Sequence, residues 1–306
     1  MGQITRRDFL KHTGAGALAL GAGALHLPAM AAKRSYSISL AGWSLHKTIG
    51  KGKDQLDMLE MPKMTRDEWD IDAIELVNGM LASNEPDYIA KLGKNASDNK
   101  VNIQLIMIDG AGNVGTKSDR IREKTVENHS AWIDSAADLG CHSVRMNWGG
   151  APKGWEDDDA LLDDFVDMSV PGFRAICDYG DKKNINVILE NHWGPSSYIA
   201  PVKKLMAAVD HERFGTLPDF GNFPEELDKY ESIDFLMQYA KAVSAKCYDF
   251  DDDTGEETKI DYERMIQIVH DKHGYKGYIG IEFEGSRLSE IDGIRRCNDL
   301  LKKLRG

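Results

Sequence analysis

Residues 186–194, NVILENHWG, place groups that can do chemistry at the end of an apolar run. Three aliphatic side chains are followed by a carboxylate, an amide, an imidazole and an indole. Because side chains alternate along a strand, Glu190 and His192 point to the same side. Glu282 and Glu284 stand in the same relation within YIGIEFEG. Carboxylates inside such apolar runs indicate a built site rather than strand ends that merely tolerate exposure.

Eight short apolar runs alternate along the chain with longer amphipathic segments, and they begin near Ile38, Ile74, Ile103, Ser143, Asn186, Phe214, Val243 and Ile279. The spacing of about 30 to 40 residues gives each run room for a crossover helix, as in a βαβ unit. We therefore predict a single-domain (β/α)8 TIM barrel over residues 32–306. An open doubly wound sheet is the alternative. It would need a Gly-rich phosphate turn after the first strand, and AGWSLHKTIGKGK is not one.

Three carboxylates fall at the ends of predicted strands five, six and eight: Glu190, Asp219 and Glu282. The C-terminal ends of barrel strands carry the functional site, and unpaired carboxylates there are costly to desolvate. We expect the three to converge on one divalent metal ion, with Mn, Co, Mg and Zn as the candidates. The alternative is an ion-pair network in which Arg145 and Lys246 neutralise the carboxylates.

The motifs ILENH, PDFGN and IGIEFEG follow one another, one per predicted strand. In that order they resemble the xylose isomerase-like TIM barrels of the sugar phosphate isomerase/epimerase superfamily, over residues 35–304. The resemblance implies a divalent ion held by Glu190, Asp219 and Glu282. It also implies proton abstraction next to a sugar carbonyl, with Glu190 and Glu282 removing and returning the proton.

Predicted strand seven departs from the family pattern. The family has a His two residues before a Lys, and here VSAKC places Ser244 at the His position. We expect the Lys246 ammonium to hold a substrate oxygen or to replace part of the ion's charge. A deprotonated Lys246 would be a third catalytic group. His192 or Glu284 is then the candidate to complete the coordination shell.

Aromatic and polar groups at the predicted strand ends are expected to line the mouth and bind substrate: Trp43, His46, Arg145, Asn147, Trp148, His192, Trp193 and Asn222. Indoles stack on the apolar face of pyranose rings, although packing at the barrel rim is the alternative for each Trp. The sequence contains no dedicated phosphate cradle. We therefore expect a small-molecule carbohydrate that is a free sugar, a keto-sugar or a glycoside.

The N-terminal segment ITRRDFLKHTGAGALALGAGALHLPAMAA resembles a twin-arginine signal peptide. It has paired arginines, a Gly/Ala/Leu stretch and a small-x-small cleavage pattern. We expect residues 1–31 to be cleaved and the protein to be periplasmic or otherwise exported; an amphipathic first helix is the alternative. No other run is apolar enough to span a membrane after cleavage. A net charge of −12 argues against nucleic acid as a partner.

Three functional hypotheses follow. The first is an exported, metal-dependent sugar isomerase or epimerase. The second is a lyase that uses the same proton abstraction to expel the aglycone from a 3-keto-glycoside. The third is a non-catalytic barrel that binds a sugar or a partner protein; the missing strand-seven His favours it and the three carboxylates oppose it. Barrels of the resembled family often pair, so a homo-oligomer is also expected.

Overall fold

The computed structural model describes residues Lys33–Gly306. The expected signal peptide, residues 1–31, lies outside the described residues, and its cleavage stays a prediction. Eight strands form the centre of the fold: β1 (Ser37–Ala41), β2 (Ala73–Val77), β3 (Asn102–Ile108), β4 (Ser143–Met146), β5 (Asn186–Glu190), β6 (Phe214–Leu217), β7 (Val243–Cys247) and β8 (Tyr278–Phe283).

An α-helix follows each strand: α1 (Met61–Trp69), α2 (Pro86–Asp98), α3 (Asp119–Asp138), α4 (Asp159–Lys182), α5 (Ile199–Val209), α6 (Lys229–Leu236), α7 (Tyr262–Ile266) and α8 (Glu290–Arg305). Side-chain caps mark where several of them begin. Ser118 accepts from Ile121 N before α3 and Asp158 accepts from Leu161 N before α4. None of the helices in the described part of the chain is long and apolar enough to cross a membrane.

The strands form a closed ring of parallel neighbours. Hydrogen-bonded pairs run in the order β6-β5-β4-β3-β2-β1-β8-β7. Beyond the end of β6 the chain also bonds to β7, since Ser244 N donates to Pro218 O at 2.9 Å and Phe220 N donates to Ser244 O at 3.1 Å. These bonds complete the barrel. The predicted (β/α)8 fold is confirmed, and the open doubly wound sheet is wrong.

The strands are apolar on both faces because the barrel interior covers one face and the helices cover the other. A few inward positions break this rule and carry charge, among them Glu75, Arg145, Lys246 and Glu282, all buried. Strand register brings some of them side by side. On β7 and β8, Lys246 is the direct neighbour of Glu282. The fold therefore sets ionisable groups inside a low-dielectric barrel.

Two helical glycines test how tightly the helices pack on the barrel. A Cβ on Gly180, near the end of α4, would stand 2.6 Å from the carbonyl oxygen of Ile185, whereas on Gly93 of α2 its nearest neighbour is a Leu139 methyl at 3.5 Å. We predict that Gly180→Ala lowers the free energy of unfolding by about 1–3 kcal/mol through overpacking. Gly93→Ala, the control, should raise it by up to about 1 kcal/mol because alanine favours helix. Urea unfolding of both variants measures this, and a stabilised Gly180→Ala would contradict it.

Candidate active site

Three buried carboxylates meet at the C-terminal end of the barrel. Glu190 is the last residue of β5, Asp219 lies just beyond β6, and Glu282 lies near the end of β8. One oxygen of each lies within 4.8 Å of the other two, and the three side chains are almost entirely inaccessible to solvent. The structure therefore brings together the three residues that the sequence placed at one ion. We call them the carboxylate cluster.

Two buried cations touch the carboxylate cluster. Arg145 Nε lies 2.8 Å from Glu190 Oε2, an ion pair without hydrogen-bond alignment. Lys246 Nζ lies 2.7 Å from Glu282 Oε1 and 3.8 Å from Asp219 Oδ2. An ion-pair network therefore exists at the site, as the alternative hypothesis expected. Burial alone would lower the pKa of Lys246, but the neighbouring carboxylates raise it above its ordinary value, so Lys246 is an ammonium here rather than a neutral base.

Ser244 links two members of the carboxylate cluster. Its Oγ lies 2.8 Å from Asp219 Oδ2 and 2.7 Å from Glu282 Oε2. A hydroxyl has one proton to donate, so one of the two contacts needs a proton on the carboxyl side. Burial raises the pKa of Asp219 to about 7, whereas the pKa of Glu282 is held below its ordinary value, so Asp219 is the favoured position for this proton. Ser244 thereby couples the protonation of Asp219 to that of Glu282.

The two glutamates of the carboxylate cluster have opposite pKa shifts. Burial raises the pKa of Glu190 to about 8, although Arg145 opposes the rise. Burial acts in the same direction on Glu282, but Lys246 and the hydrogen bond from Ser244 outweigh it and hold the pKa below its ordinary value. At neutral pH Glu190 can hold a proton while Glu282 is ionised. Two carboxyl groups whose pKa values are pushed apart are the arrangement that acid and base catalysis requires.

A cavity of about 460 Å³ opens beside the carboxylate cluster, and Trp43, Arg145, Asn147, His192, Trp193 and Glu284 are among its lining residues. The cluster carboxylates are not among the lining residues, but Arg145, which lines the cavity, contacts Glu190. Burial, together with the charges of Arg145 and Lys246, lowers the pKa of His192 to about 4. Its imidazole is therefore neutral near pH 7, and its buried Nδ1 has no hydrogen-bond partner within Lys33–Gly306.

Trp148 does not belong to the mouth, so its predicted role in substrate binding is wrong. Its indole is buried, donates from Nε1 to Ser169 Oγ at 2.9 Å, and stacks on Phe165 with ring centroids 5.1 Å apart. Both partners are on α4. The reason is the alternation of side chains at the end of β4: Arg145 and Asn147 point into the barrel mouth, and Trp148 points outward.

Two other predicted substrate-binding residues, His46 and Asn222, are not among the residues that line the cavity. His46 stands at the rim, where its Nδ1 lies 2.8 Å from Trp43 O and 3.5 Å from Glu290 Oε1; it does not line the cavity. Asn222 is inside the carboxylate cluster, since its Nδ2 donates to Glu190 Oε1 at 3.3 Å and its backbone N–H donates to Asp219 Oδ1 at 2.9 Å. Asn222 thus orients carboxylates.

Asp109 is a site residue to which sequence reasoning gave no role. Its Oδ1 accepts from Arg145 Nη1 at 2.6 Å and from Asn147 Nδ2 at 2.7 Å. It therefore holds both cavity-lining side chains in place. The signal that would have found it is its position directly after the apolar run of β3, the same signal that identified Glu190 at the end of β5.

Glu75 is a second residue to which sequence reasoning gave no role. It lies inside the barrel, where Ser39 Oγ donates to its Oε1 at 2.6 Å, while its buried Oε2 has no hydrogen-bond partner within the described chain. Gly280 makes room for it, because a Cβ there would stand 2.4 Å from Glu75 Oε1. Burial raises the pKa of Glu75 from 4.5 to about 7. Glu75 is thus a carboxyl that is neutral over part of the physiological pH range.

Residues 67–304 match the family model described as xylose isomerase-like TIM barrel. The chain belongs to this family. The resemblance inferred from ILENH, PDFGN and IGIEFEG is therefore confirmed at the level of the superfamily. No curated protein matches the chain by sequence.

Solved structures of the family share the fold at low sequence identity. A D-tagatose 3-epimerase-like protein is 20% identical, covers 88% of this chain and 96% of its own, and superposes with a TM-score of 0.69. The 3-keto-D-glucoside 4-epimerase from E. coli is 14% identical, with coverage of 88% and 99% and a TM-score of 0.65. A xylose isomerase-like TIM barrel protein from Mycobacterium smegmatis in complex with magnesium is 18% identical, with coverage of 89% and 98% and a TM-score of 0.64.

The raised pKa of Glu75 predicts how stability depends on pH. The unfolded carboxyl ionises near pH 4.5 and the folded one near pH 7, so the folded state binds the extra proton between these values and loses stability as pH rises through them. Glu75→Gln removes this loss. Between pH 5 and pH 8, the free energy of unfolding of the variant should gain roughly 2–3 kcal/mol relative to wild type.

Urea unfolding at the two pH values measures the change, and because the comparison is between pH values, any constant effect of the substitution cancels. Glu123→Gln on the exposed side of α3 is the control and should leave the pH dependence unchanged. Parallel pH profiles for wild type and Glu75→Gln would show that Glu75 ionises normally.

Proposed function

We propose that this protein is a sugar isomerase or epimerase that acts by proton abstraction next to a carbonyl on a free sugar, keto-sugar or glycoside. The observation that carries the proposal is the convergence of Glu190 and Glu282, two buried carboxyls with oxygens within 4.8 Å of each other beside a cavity. Such a pair can take a proton from carbon and return one to it. Membership of the xylose isomerase-like family supports the same chemistry.

In the proposed reaction the ionised Glu282 removes the proton from the carbon next to the carbonyl. The electrons of the C–H bond form a C=C bond, and the carbonyl oxygen takes the negative charge. Arg145 and Lys246 are the cations nearest to this charge, and in a dry site they stabilise it strongly. The protonated Glu190 then returns a proton to carbon. The cavity-lining residues Asn147, His192, Trp43 and Trp193 orient the sugar.

A divalent ion, with Mn, Co, Mg or Zn as candidates, fits the carboxylate cluster. Three hard oxygen ligands converge within 4.8 Å, and the buried Glu190 Oε2 lacks a hydrogen bond. Ser244 supplies a hydroxyl oxygen where the family pattern has an imidazole. When bound, such an ion would act as a Lewis acid that polarises the carbonyl. Glu190, Asp219 and Glu282 would hold it.

A carbohydrate substrate is supported by the chemistry of the cavity wall. Trp43 and Trp193 offer indole faces, and Trp193 remains 49% exposed at the rim. Arg145, Asn147 and Asp109 add donors and acceptors for hydroxyl groups. Solved relatives are named for epimerisation of sugars and of a 3-keto-glucoside, in agreement with this substrate class.

A lyase is the second candidate. The same abstraction by Glu282 next to the keto group of a 3-keto-glycoside would expel the aglycone instead of inverting a centre. The half-exposed Trp193 favours this candidate, since an open rim leaves room for an aglycone outside the cavity. A non-catalytic binding barrel would need neither the cluster nor its two buried cations.

We also propose that the protein is exported by the twin-arginine pathway. The proposal rests on the paired arginines Arg6 and Arg7 and on the Gly/Ala/Leu stretch after them. A homo-oligomer is proposed on the family resemblance alone. Fractionation of cells that express the full chain, with Arg6→Lys/Arg7→Lys as the export-deficient comparison, tests the location.

Deuterium incorporation tests the function. The mature protein, incubated in deuterated water with ketoses, aldoses and 3-keto-glycosides, should place deuterium on the carbon next to the carbonyl, as followed by NMR. Glu282→Gln and Glu190→Gln should each slow incorporation by about 10²-fold or more, the scale of a lost acid or base. Glu123→Gln is the matched control and should exchange at the wild-type rate.

Product analysis in the same tubes separates the two candidate reactions, because only the lyase releases an aglycone. Failure of the wild-type protein to exchange deuterium into any of these sugars, with and without added Mn²⁺, would refute the proposal and leave the binding barrel.

A further inference from the structure

Lys246 occupies an unusual position, because its ammonium sits among carboxylates assigned above to a metal ion. The side chain is fully buried on β7. Its Nζ contacts Glu282 Oε1 at 2.7 Å, Glu284 Oε1 at 3.2 Å and Asp219 Oδ2 at 3.8 Å. Two of these carboxylates belong to the carboxylate cluster. The third, Glu284, lines the cavity and is 37% exposed.

We propose that the Lys246 ammonium and a divalent ion are alternative partners of the carboxylate cluster, and that ion binding moves the ammonium from Glu282 to Glu284 at the cavity. The proposal rests on the ion site of the proposed function and deepens it. In this proposal the Lys246 ammonium stabilises the cluster when no metal ion is bound. When an ion is bound, the ammonium faces the substrate.

Both oxygens of Glu282 already accept a hydrogen bond. Its Oε1 accepts from Lys246 Nζ and its Oε2 accepts from Ser244 Oγ. An ion that binds Glu282 therefore comes close to both of these donors. The Ser244 hydroxyl can turn its lone pairs toward a cation and stay in place, but an ammonium has no lone pair and repels the ion. Lys246 is the donor that has to leave.

The net charge of the buried site also favours displacement of the ammonium. Glu190, Asp219 and Glu282, together with Arg145 and Lys246, sum to one negative charge when all are ionised. A divalent ion added to this set would turn it into a net positive charge inside the barrel, where uncompensated charge is costly. Withdrawal of one ammonium returns the cluster, the ion and Arg145 to neutrality. A shift of Lys246 toward Glu284 restores this balance within the cluster.

Glu284 is the carboxylate that can accept the displaced ammonium. It already lies 3.2 Å from Lys246 Nζ, so the ammonium keeps a carboxylate partner when it leaves Glu282. The lysine stem is flexible, and the required movement is short. Departure also removes the ammonium from Glu282, the residue that the proposed mechanism uses as a base. Metal loading, exposure of the base and delivery of a cation to the substrate would then be one event.

Mn²⁺ titration by calorimetry, without substrate, tests the proposal on metal-stripped mature protein. Lys246→Met removes the competing cation and should tighten Mn²⁺ binding by about tenfold or more, the scale of changes around metal ligands. The thermal shift produced by Mn²⁺ should be larger in the variant, since the apo cluster then lacks its internal cation. Lys241→Met is the matched control: Lys241 lies two residues before β7, away from the carboxylate cluster at the other end of that strand, and is half-buried, so its loss should change neither quantity.

Glu284→Gln tests the direction of the movement and involves a partly exposed side chain whose loss the fold tolerates. In the wild-type background it should weaken Mn²⁺ binding, because the displaced ammonium loses its second partner. In the Lys246→Met background it should have no effect. The difference between the backgrounds is the coupling of the two residues, and a direct field effect of Glu284 on the ion would be equal in both.

Unchanged Mn²⁺ affinity in Lys246→Met, or an equal effect of Glu284→Gln in both backgrounds, would overturn the exchange. So would the absence of Mn²⁺ binding in every variant. These results are independent of the deuterium experiment, in which substrate turnover is measured. A protein that exchanges deuterium but shows no coupling between Lys246 and Mn²⁺ would keep the proposed function and lose this inference.

Discussion

The electrostatic balance of the carboxylate cluster is the constraint on which the rest of the site depends. Three carboxyl groups are almost completely buried, and one oxygen of each lies within 4.8 Å of an oxygen of the other two. Such a group of like charges is stable only if cations or protons offset it. The chain supplies both kinds of compensation: Arg145 and Lys246 as fixed charges, and a proton on Asp219 or Glu190, whose pKa values are raised by burial.

The barrel is what makes this balance possible. Parallel strands all end at one rim, so carboxylates from β5, β6 and β8 converge without a local motif. Register then fixes which charge meets which: Lys246 stands beside Glu282 because β7 and β8 pair residue by residue at that level. Asp109, just beyond the end of β3, anchors Arg145 of β4 through a side-chain contact. The helices contribute packing, as the indole of Trp148 against α4 illustrates.

The fold and the membership of the cluster could be predicted from the sequence, because both follow from periodicity. Strand spacing predicted the barrel, and the positions of Glu190, Asp219 and Glu282 at strand ends predicted the cluster. Trp148 could not be placed, since its direction depends on where β4 turns into loop. The double contact of Ser244 was also out of reach, because it joins β7 to a residue beyond the end of β6. Contacts between strands depend on register, which one sequence does not specify.

Ser244, which stands at the family's strand-seven His position, changes how protons are shared within the carboxylate cluster. An imidazole there would be a ligand with its own titration, whereas the Ser244 hydroxyl only passes a hydrogen bond between Asp219 and Glu282. The cluster therefore acts as one unit: a proton gained by Asp219 changes what Glu282 accepts, and Glu282 in turn holds Lys246. The protonation of the carboxylates and the position of the bound cation therefore depend on each other. A reaction that moves a proton to and from carbon is a natural use for such a unit, because each transfer can be offset within the cluster itself.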